Sequence, residues 1–178
     1  GTLLRRIGDG RGEGPGELLR IFGICLRGDS LFVANSGNGR FDLFHREGRF
    51  VETYAQKYVF TGDFTVTSDG ILYASAFRRN GHNRLISRIG RDGELTERFG
   101  DMYFEDEEVI FLTSLGSIHE SGRQLVYVPT YYETVRVFED TTETHRFDIY
   151  NEGLDDALAN NKDLEQFRPA VDYTFPFQ

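Results

Sequence analysis

Three stretches of this chain repeat one order of elements: turn, apolar strand, polar connection, second strand, second turn, third strand. The first runs through Arg27-Gly28-Asp29, Leu31-Phe32-Val33-Ala34, Asn35-Ser36-Gly37-Asn38, Arg40-Phe41-Asp42-Leu43-Phe44, Arg46-Glu47-Gly48 and Arg49-Phe50-Val51-Glu52-Thr53-Tyr54. The second has Ser68-Asp69-Gly70, Ile71-Leu72-Tyr73-Ala74, Arg84-Leu85-Ile86-Ser87-Arg88-Ile89, Arg91-Asp92-Gly93 and Glu94-Leu95-Thr96-Glu97-Arg98-Phe99. The third has Glu120-Ser121-Gly122, Leu125-Val126-Tyr127-Val128, Thr134-Val135-Arg136-Val137-Phe138, Glu139-Asp140-Thr141 and His145-Arg146-Phe147-Asp148-Ile149-Tyr150. A period of roughly 40–50 residues made only of strands and turns predicts an all-β fold, a β-propeller of four-stranded antiparallel blades.

Local chemistry supports the strands and their turns. Glu47-Gly48, Asp69-Gly70 and Asp92-Gly93 are hairpin signals, because glycine tolerates the positive φ that tight turns require. In Arg40–Phe44 and Thr134–Phe138, polar and apolar residues largely alternate, as on a half-buried strand. Leu31–Ala34 and Leu125–Val128 are apolar throughout and suit inner strands with both faces covered. The first strand of each copy is expected at Gly23–Leu26, Phe64–Thr67 and Leu115–Ile118.

The ends extend the pattern. Leu3–Asp9 matches Leu95–Asp101 in character, so residues 2–8 read as the outer strand of a preceding blade. Blades are then expected at 20–55, 60–100 and 110–150. Leu154, Ala157, Leu158, Leu164 and Phe167 fall at roughly helical spacing, predicting a short helix over Asp155–Gln166 in 151–178. An aromatic segment, Ala170–Phe177, follows as the start of a further unit. Three blades fall short of the usual four to eight. A remainder elsewhere in a longer protein, self-association of two copies, or an open arc on a partner would each cover the end blades.

Charge narrows the partners. The formal net charge is −9, opposite to the basic footprint that neutralises nucleic-acid phosphates, so no nucleic-acid partner is expected. No apolar run reaches the ~18 residues of a membrane span. Cys25 is the only cysteine and sits in an apolar stretch, where it reads as a small hydrophobe rather than a nucleophile.

The stretch from Gly10-Arg11-Gly12-Glu13-Gly14-Pro15-Gly16-Glu17-Leu18 through Leu31–Asn35 to Ser36-Gly37-Asn38-Gly39-Arg40 and Glu47-Gly48-Arg49-Phe50 resembles an NHL repeat. It is also similar to six-bladed propellers of Bacteroidetes-type bacteria, many of them exported. The match is densest over residues 8–54, and the later copies lack the Ser-Gly-Asn-x-Arg segment. The resemblance implies six blades around a channel, a periplasmic, cell-surface or secreted location, and ligands or partners on one face. It implies no single activity, since this fold carries both binding modules and enzymes.

Candidate chemistry is sparse. The glycine-rich opening fits neither phosphate-loop spacing, and Asp9, Glu13 and Glu17 would repel phosphate, so it reads as a close crossing between blades. His45, His82, His119 and His145 show no metal-ligand spacing. The acidic run Asp101–Glu108 lacks the alternation and glycine of a calcium loop, though Glu107 or Glu108 would suit the channel of a propeller hydrolase. No cofactor, metal site or catalytic residue is assigned. The connections between second and third strands converge on one face, which makes Asn38, Arg40, Arg78, Arg79, Asn80, His82, Tyr131, Tyr132 and Glu133 the candidate ligand-binding residues. The expected function is a binding module for a protein, peptide or glycan. The alternatives are a metal-dependent, lactonase-like hydrolase or lyase, and a structural segment of a larger assembly.

Overall fold

The computed structural model of this chain describes residues 5–56, 62–75, 84–102, 116–130 and 134–148, with the side chains of residues 55 and 56 excepted. The chain divides into two units, Gly1–Asp148 and Ile149–Gln178, and every described residue lies in the first. The helix and aromatic segment expected after residue 150 fall outside the described residues.

Among the described residues, strands form three four-stranded antiparallel sheets, each in simple sequential order. The first blade holds β1 (Ile21–Arg27), β2 (Ser30–Asn35), β3 (Arg40–His45) and β4 (Phe50–Gln56). The second holds β5 (Phe64–Val66), β6 (Leu72–Ser75), β7 (Arg84–Ile89) and β8 (Leu95–Asp101). The third holds β9 (Gly116–Ser121), β10 (Gln124–Pro129), β11 (Thr134–Glu139) and β12 (Thr142–Asp148). These are propeller blades, as the repeat predicts. Residues 5–7 carry no strand pairing; they pass the β3–β4 turn, where the Gly8 amide donates to the Gly48 carbonyl at 3.2 Å.

Blades pack face to face and bury two apolar layers. Phe32, Ala34 and Phe41 of the first blade meet Phe64, Val66, Leu72, Ala74 and Ile89 of the second. Tyr73, Ile86 and Phe99 of the second meet Ile118, Leu125, Tyr127 and Phe138 of the third. Each large side chain so buried contributes about 1.5–3 kcal/mol. Rings meet edge-on or tilted across both layers: Phe41 and Phe64 centroids are 5.0 Å apart, and Phe99 and Phe138 are 5.2 Å apart. A third cluster, Leu31, Val33 and Phe44, lies on the other side of the first blade under Leu18 and Phe50.

The strand extents agree with the repeat, but the second copy is out of step with the other two. By sequence, Ile71 aligns with Leu31 and Leu125. In the structure Leu72 takes that place, since Leu72 and Ala74 face the preceding blade and Tyr73 faces the following one. Turn length is the cause. Arg27 pairs with Ser30, and Ser121 with Gln124, across two-residue loops opening on Gly28 and Gly122. In the second blade three residues, Ser68 to Gly70, lie between Thr67 and Ile71, whose backbones bond at 2.9 Å. One extra residue moves every following side chain to the opposite face.

The β3–β4 and β7–β8 turns are three-residue loops that end on Gly48 (φ +93°) and Gly93 (φ +77°). The corresponding turn of the third blade has two residues, and Asp140 adopts φ +56° there without being glycine. The β10 strand also departs from expectation. Val126 and Val128 are only half-buried, because the far side of the third blade has no neighbouring blade among the described residues.

Candidate functional site

Strand order sorts the connections into two faces. In an up-down-up-down sheet the first and third turns emerge at one end, and the second turn and the interblade crossing at the other. At the first end every loop has two or three residues. At the second end the connections run over residues 36–39, 57–63, 76–83, 102–115 and 130–133. The long connections therefore share one face.

Of the candidate residues on that face, Asn38 and Arg40 are described. Arg78, Arg79, Asn80, His82, Tyr131, Tyr132 and Glu133 lie outside the described residues, as do Glu107 and Glu108. Asn38 closes a 3₁₀ turn, Ser36–Asn38, followed by Gly39 at φ +62°. Its amide nitrogen donates to the Gly12 carbonyl at 3.0 Å. Its Oδ1 is buried and has no hydrogen-bond partner. Arg40 donates to the carbonyls of Glu13 (2.8 Å), Gly14 (2.6 Å) and Glu17 (3.1 Å). Its Nε pairs with Asp42 at 2.9 Å.

Asp42 is the hub of this arrangement. It is fully buried and also accepts from Asn35 Nδ2 (2.8 Å) and Thr53 Oγ1 (3.0 Å). Asn35, buried as well, accepts the Leu19 amide at 3.1 Å and donates to the Glu17 carbonyl at 3.0 Å. The Ser-Gly-Asn-x-Arg segment thus clasps the glycine-rich opening across the first blade. Gly37 explains the closeness, since a Cβ there would sit 2.9 Å from the Leu19 side chain. The opening is a crossing built on backbone carbonyls, which accept hydrogen bonds and offer a phosphate nothing.

The face of short turns holds a polar cleft that the sequence reading did not anticipate. It encloses about 600 Å³ between the second and third blades. Tyr73 and Arg88 line it from β6 and β7, Asp69 from the β5–β6 turn, and Glu120, Arg123, Glu139 and Asp140 from the third blade. Burial pushes the Tyr73 phenol above its ordinary pKa; Arg88 opposes this, and Asp140, Asp69 and Glu120 reinforce it. The phenol therefore stays a neutral donor. The Thr67 hydroxyl is committed to its turn, accepting from the Ile71 amide at 2.9 Å. The turn at Asp69-Gly70 was legible as a hairpin signal; the register slip that turns Tyr73 and Arg88 toward the third blade was not.

A strut crosses the inner strands at the same end. Arg27 donates to the Val66 carbonyl, to Thr65 Oγ1 at 3.3 Å and to Glu120 at 2.9 Å, joining all three blades. Cys25 is half-buried against the first interblade layer. Among the described residues no cluster of three potential metal ligands occurs. His45 accepts from the Glu47 amide at 3.3 Å, and His145 stacks on Phe147.

No protein-family model matches the chain, and no curated protein matches its sequence. Solved structures do resemble it. A protein of Bacteroides fragilis assigned as exported superposes with a TM-score of 0.61 at 12% identity, over 86% of this chain and 46% of the other. A DUF4221 family member from Bacteroides vulgatus gives 0.52 at 12% identity, over 78% and 46%. Hydrazine synthase of Kuenenia stuttgartiensis gives 0.50 at 16% identity, over 85% and 39%. The chain spans less than half the length of each of these structures. Likeness at such identity concerns the fold alone. Among the described residues no helix is long and apolar enough to cross a membrane.

Proposed function

We propose that this chain belongs to an NHL-like, six-bladed propeller that acts outside the cytoplasm as a non-catalytic binding module. Its ligand is a protein, peptide or glycan, taken on the face of long connections. One observation carries the reading: in the three described blades the connections of four or more residues join strand ends on one face, while the strand ends on the opposite face are joined by two- and three-residue turns. Loops held by a rigid sheet scaffold are where propellers display recognition groups. The sequence of those loops carries Arg78, Arg79, Asn80, His82, Tyr131, Tyr132 and Glu133. Arginine and tyrosine are among the residues enriched at binding hot spots. The exported Bacteroides neighbour supports the extracytoplasmic location.

The test is a binding screen with defined probes. The purified chain is titrated with a panel of soluble oligosaccharides and short peptides, following backbone amide shifts. Shifts confined to residues 36–40, 76–83 and 130–133, abolished by replacing Arg78, Arg79 and His82 with alanine, are expected. Shifts confined to the Tyr73 cleft would move the site to the other face. A stoichiometric divalent ion retained by the pure protein, and lost in His82→Ala or Glu108→Ala, would replace the binding module with a metal hydrolase.

A further inference from the structure

The second interblade layer carries polar side chains at places that are apolar in the first. The pairing register sets the equivalences. Phe32 pairs with Leu43 in the first blade as Tyr73 pairs with Arg88 in the second. Val66 pairs with Leu72 in the second blade as Glu120 pairs with Leu125 in the third. Phe32 and Val66 are buried between the first two blades, with Leu43 packed against that layer. Tyr73, Arg88 and Glu120 hold the same three places between the second and third blades, and all of them line the polar cleft. The cleft also lacks a ring that closes the first layer. Tyr54 meets Phe32 edge-on at 5.3 Å, and its hydroxyl donates to the Gly70 carbonyl. Tyr54 is an extra residue of β4, since the register skips it between the Phe41–Ala55 and Asp42–Thr53 pairs. The Ile86–Phe99 and Ser87–Arg98 pairs run on without a skip, so β8 sends no such ring into the cleft.

Two of these polar groups have no partner among the described residues. Tyr73 is 7% exposed and lines the cleft, yet no hydrogen bond ends on its hydroxyl. Neither a hydrogen bond nor an ion pair ends on the Arg88 guanidinium. A buried donor that the chain leaves unmatched lowers stability, so packing does not account for it. Glu120 differs, being matched by Arg27 at 2.9 Å. That leaves Asp69, Glu139 and Asp140 as the acidic residues that line the cleft, against Arg88 and Arg123. Asp140 also keeps φ at +56°, a strained conformation held where the residue lines the cleft. The volume, about 600 Å³, is ordinary for a small-molecule site, which spans roughly 300–1,000 Å³.

Charge selects among ligands. A simple anion would meet Asp69, Glu139 and Asp140, and a simple cation would leave Arg88 and the Tyr73 hydroxyl unmatched. A molecule carrying both charges matches both sets, and its charge-assisted hydrogen bonds are the strong kind. We infer that this cleft binds a small zwitterion of the α-amino-acid or dipeptide class, with its carboxylate on Arg88 and Tyr73 and its ammonium on Asp69, Glu139 and Asp140. The Tyr73 phenol, kept protonated by burial, is the neutral donor to that carboxylate. Both walls belong to described blades, and the cleft lies on the face of short turns. The inference therefore stands apart from the ligand proposed for the loop face.

Backbone amide shifts of the full 178-residue chain, titrated with the common L-amino acids and neutral dipeptides, test this. Saturable shifts at residues 67–73, 88, 120–125 and 139–140 are expected from at least one probe, with a Kd of about 1 mM or tighter. N-acetylation of that probe removes its ammonium and C-terminal amidation its carboxylate; each should weaken binding at least about tenfold. Tyr73→Phe and Arg88→Leu install the residues that the first layer has in those places. Binding should weaken about two- to tenfold in the first variant and about ten- to a hundredfold in the second. Urea midpoints should stay at or above wild type, because each change removes a polar group the layer leaves unmatched. No saturable shift at the cleft from any probe overturns the inference, as does equal binding of the acetylated and amidated forms, which needs no variant. Unchanged affinity in both variants, with lowered midpoints, makes Tyr73 and Arg88 structural only and also overturns it. Shifts confined to residues 36–40, 76–83 and 130–133 would leave the loop-face reading standing and sink this one.

Discussion

Replacing Asp42 with alanine should weaken the first blade strongly. Asp42 is fully buried and receives hydrogen bonds from Asn35, Thr53 and the guanidinium of Arg40. Its removal leaves Arg40, whose side chain is only 13% exposed, without its counter-charge. An uncompensated buried charge costs about 3–5 kcal/mol. Arg40 keeps three carbonyl acceptors, which reduces that figure, while the stranded Thr53 and Asn35 donors add to it. Together these give about 3 kcal/mol, a large part of a stability of about 5–15 kcal/mol. Arg40→Ala should cost about as much, since it strands the carboxylate instead. The double variant should cost about 4 kcal/mol rather than about 6, a coupling of about 2 kcal/mol. Urea unfolding is the assay, followed by far-ultraviolet circular dichroism and tyrosine fluorescence, because the chain has no tryptophan. Hydrogen exchange adds a local reading: the Asp9, Glu17 and Leu18 amides, bonded within the glycine-rich opening, should exchange faster in both single variants. Arg46→Ala, which breaks an exposed pair with Asp29, should change nothing and serves as the control. A cost below about 1 kcal/mol for Asp42→Ala, or additive costs in the double variant, would refute the clasp.

Other outcomes follow from the same geometry. The Tyr73 pKa is raised above 10.0 in the fold, so the folded chain holds that proton more tightly than the unfolded one; stability is full below pH 10 and falls as pH rises through the folded value. Melting temperatures between pH 9 and 11 should therefore drop less steeply in Tyr73→Phe than in wild type. Burial pushes Glu143 upward, but hydrogen bonds from Arg146 and Arg136 outweigh it and hold the carboxyl below 4.5. Its stabilising effect is present above that value and lost as pH falls, so Glu143→Gln should flatten the acid limb of the stability profile below about pH 4.5. Asp140→Gly relieves a positive φ and should raise stability by about 0.5–1 kcal/mol, measured by urea midpoint. Gly48→Ala should lower stability by about 1–3 kcal/mol, since φ is +93° and a Cβ would lie 2.3 Å from the Arg6 carbonyl; an unchanged midpoint would mean the two segments separate easily.

The blades were legible because their signals are local. Positive-φ glycines at 48, 70 and 93 end loops where the sequence places turns, and period-two alternation sets Phe41 and Leu43 on one face of a strand and Phe44 on the other. The candidate site was legible only as a place in the topology. Asn38 and Arg40 were read as candidate ligand-binding residues, yet their hydrogen bonds reach residues 26 and 27 positions away in sequence. Nothing in the residues nearby shows that a carbonyl will arrive there.

Sequence alone determined an all-β chain of repeated blades, because turn chemistry and alternation act over a few residues and need no partner. Tertiary structure alone decided which face of each blade meets which. A single extra residue between Thr67 and Ile71 sends Tyr73 and Arg88 to the third blade and opens the cleft there. Side-chain direction in a strand has period two, so a loop longer by one residue reverses it, and only packing against real neighbours reveals the reversal.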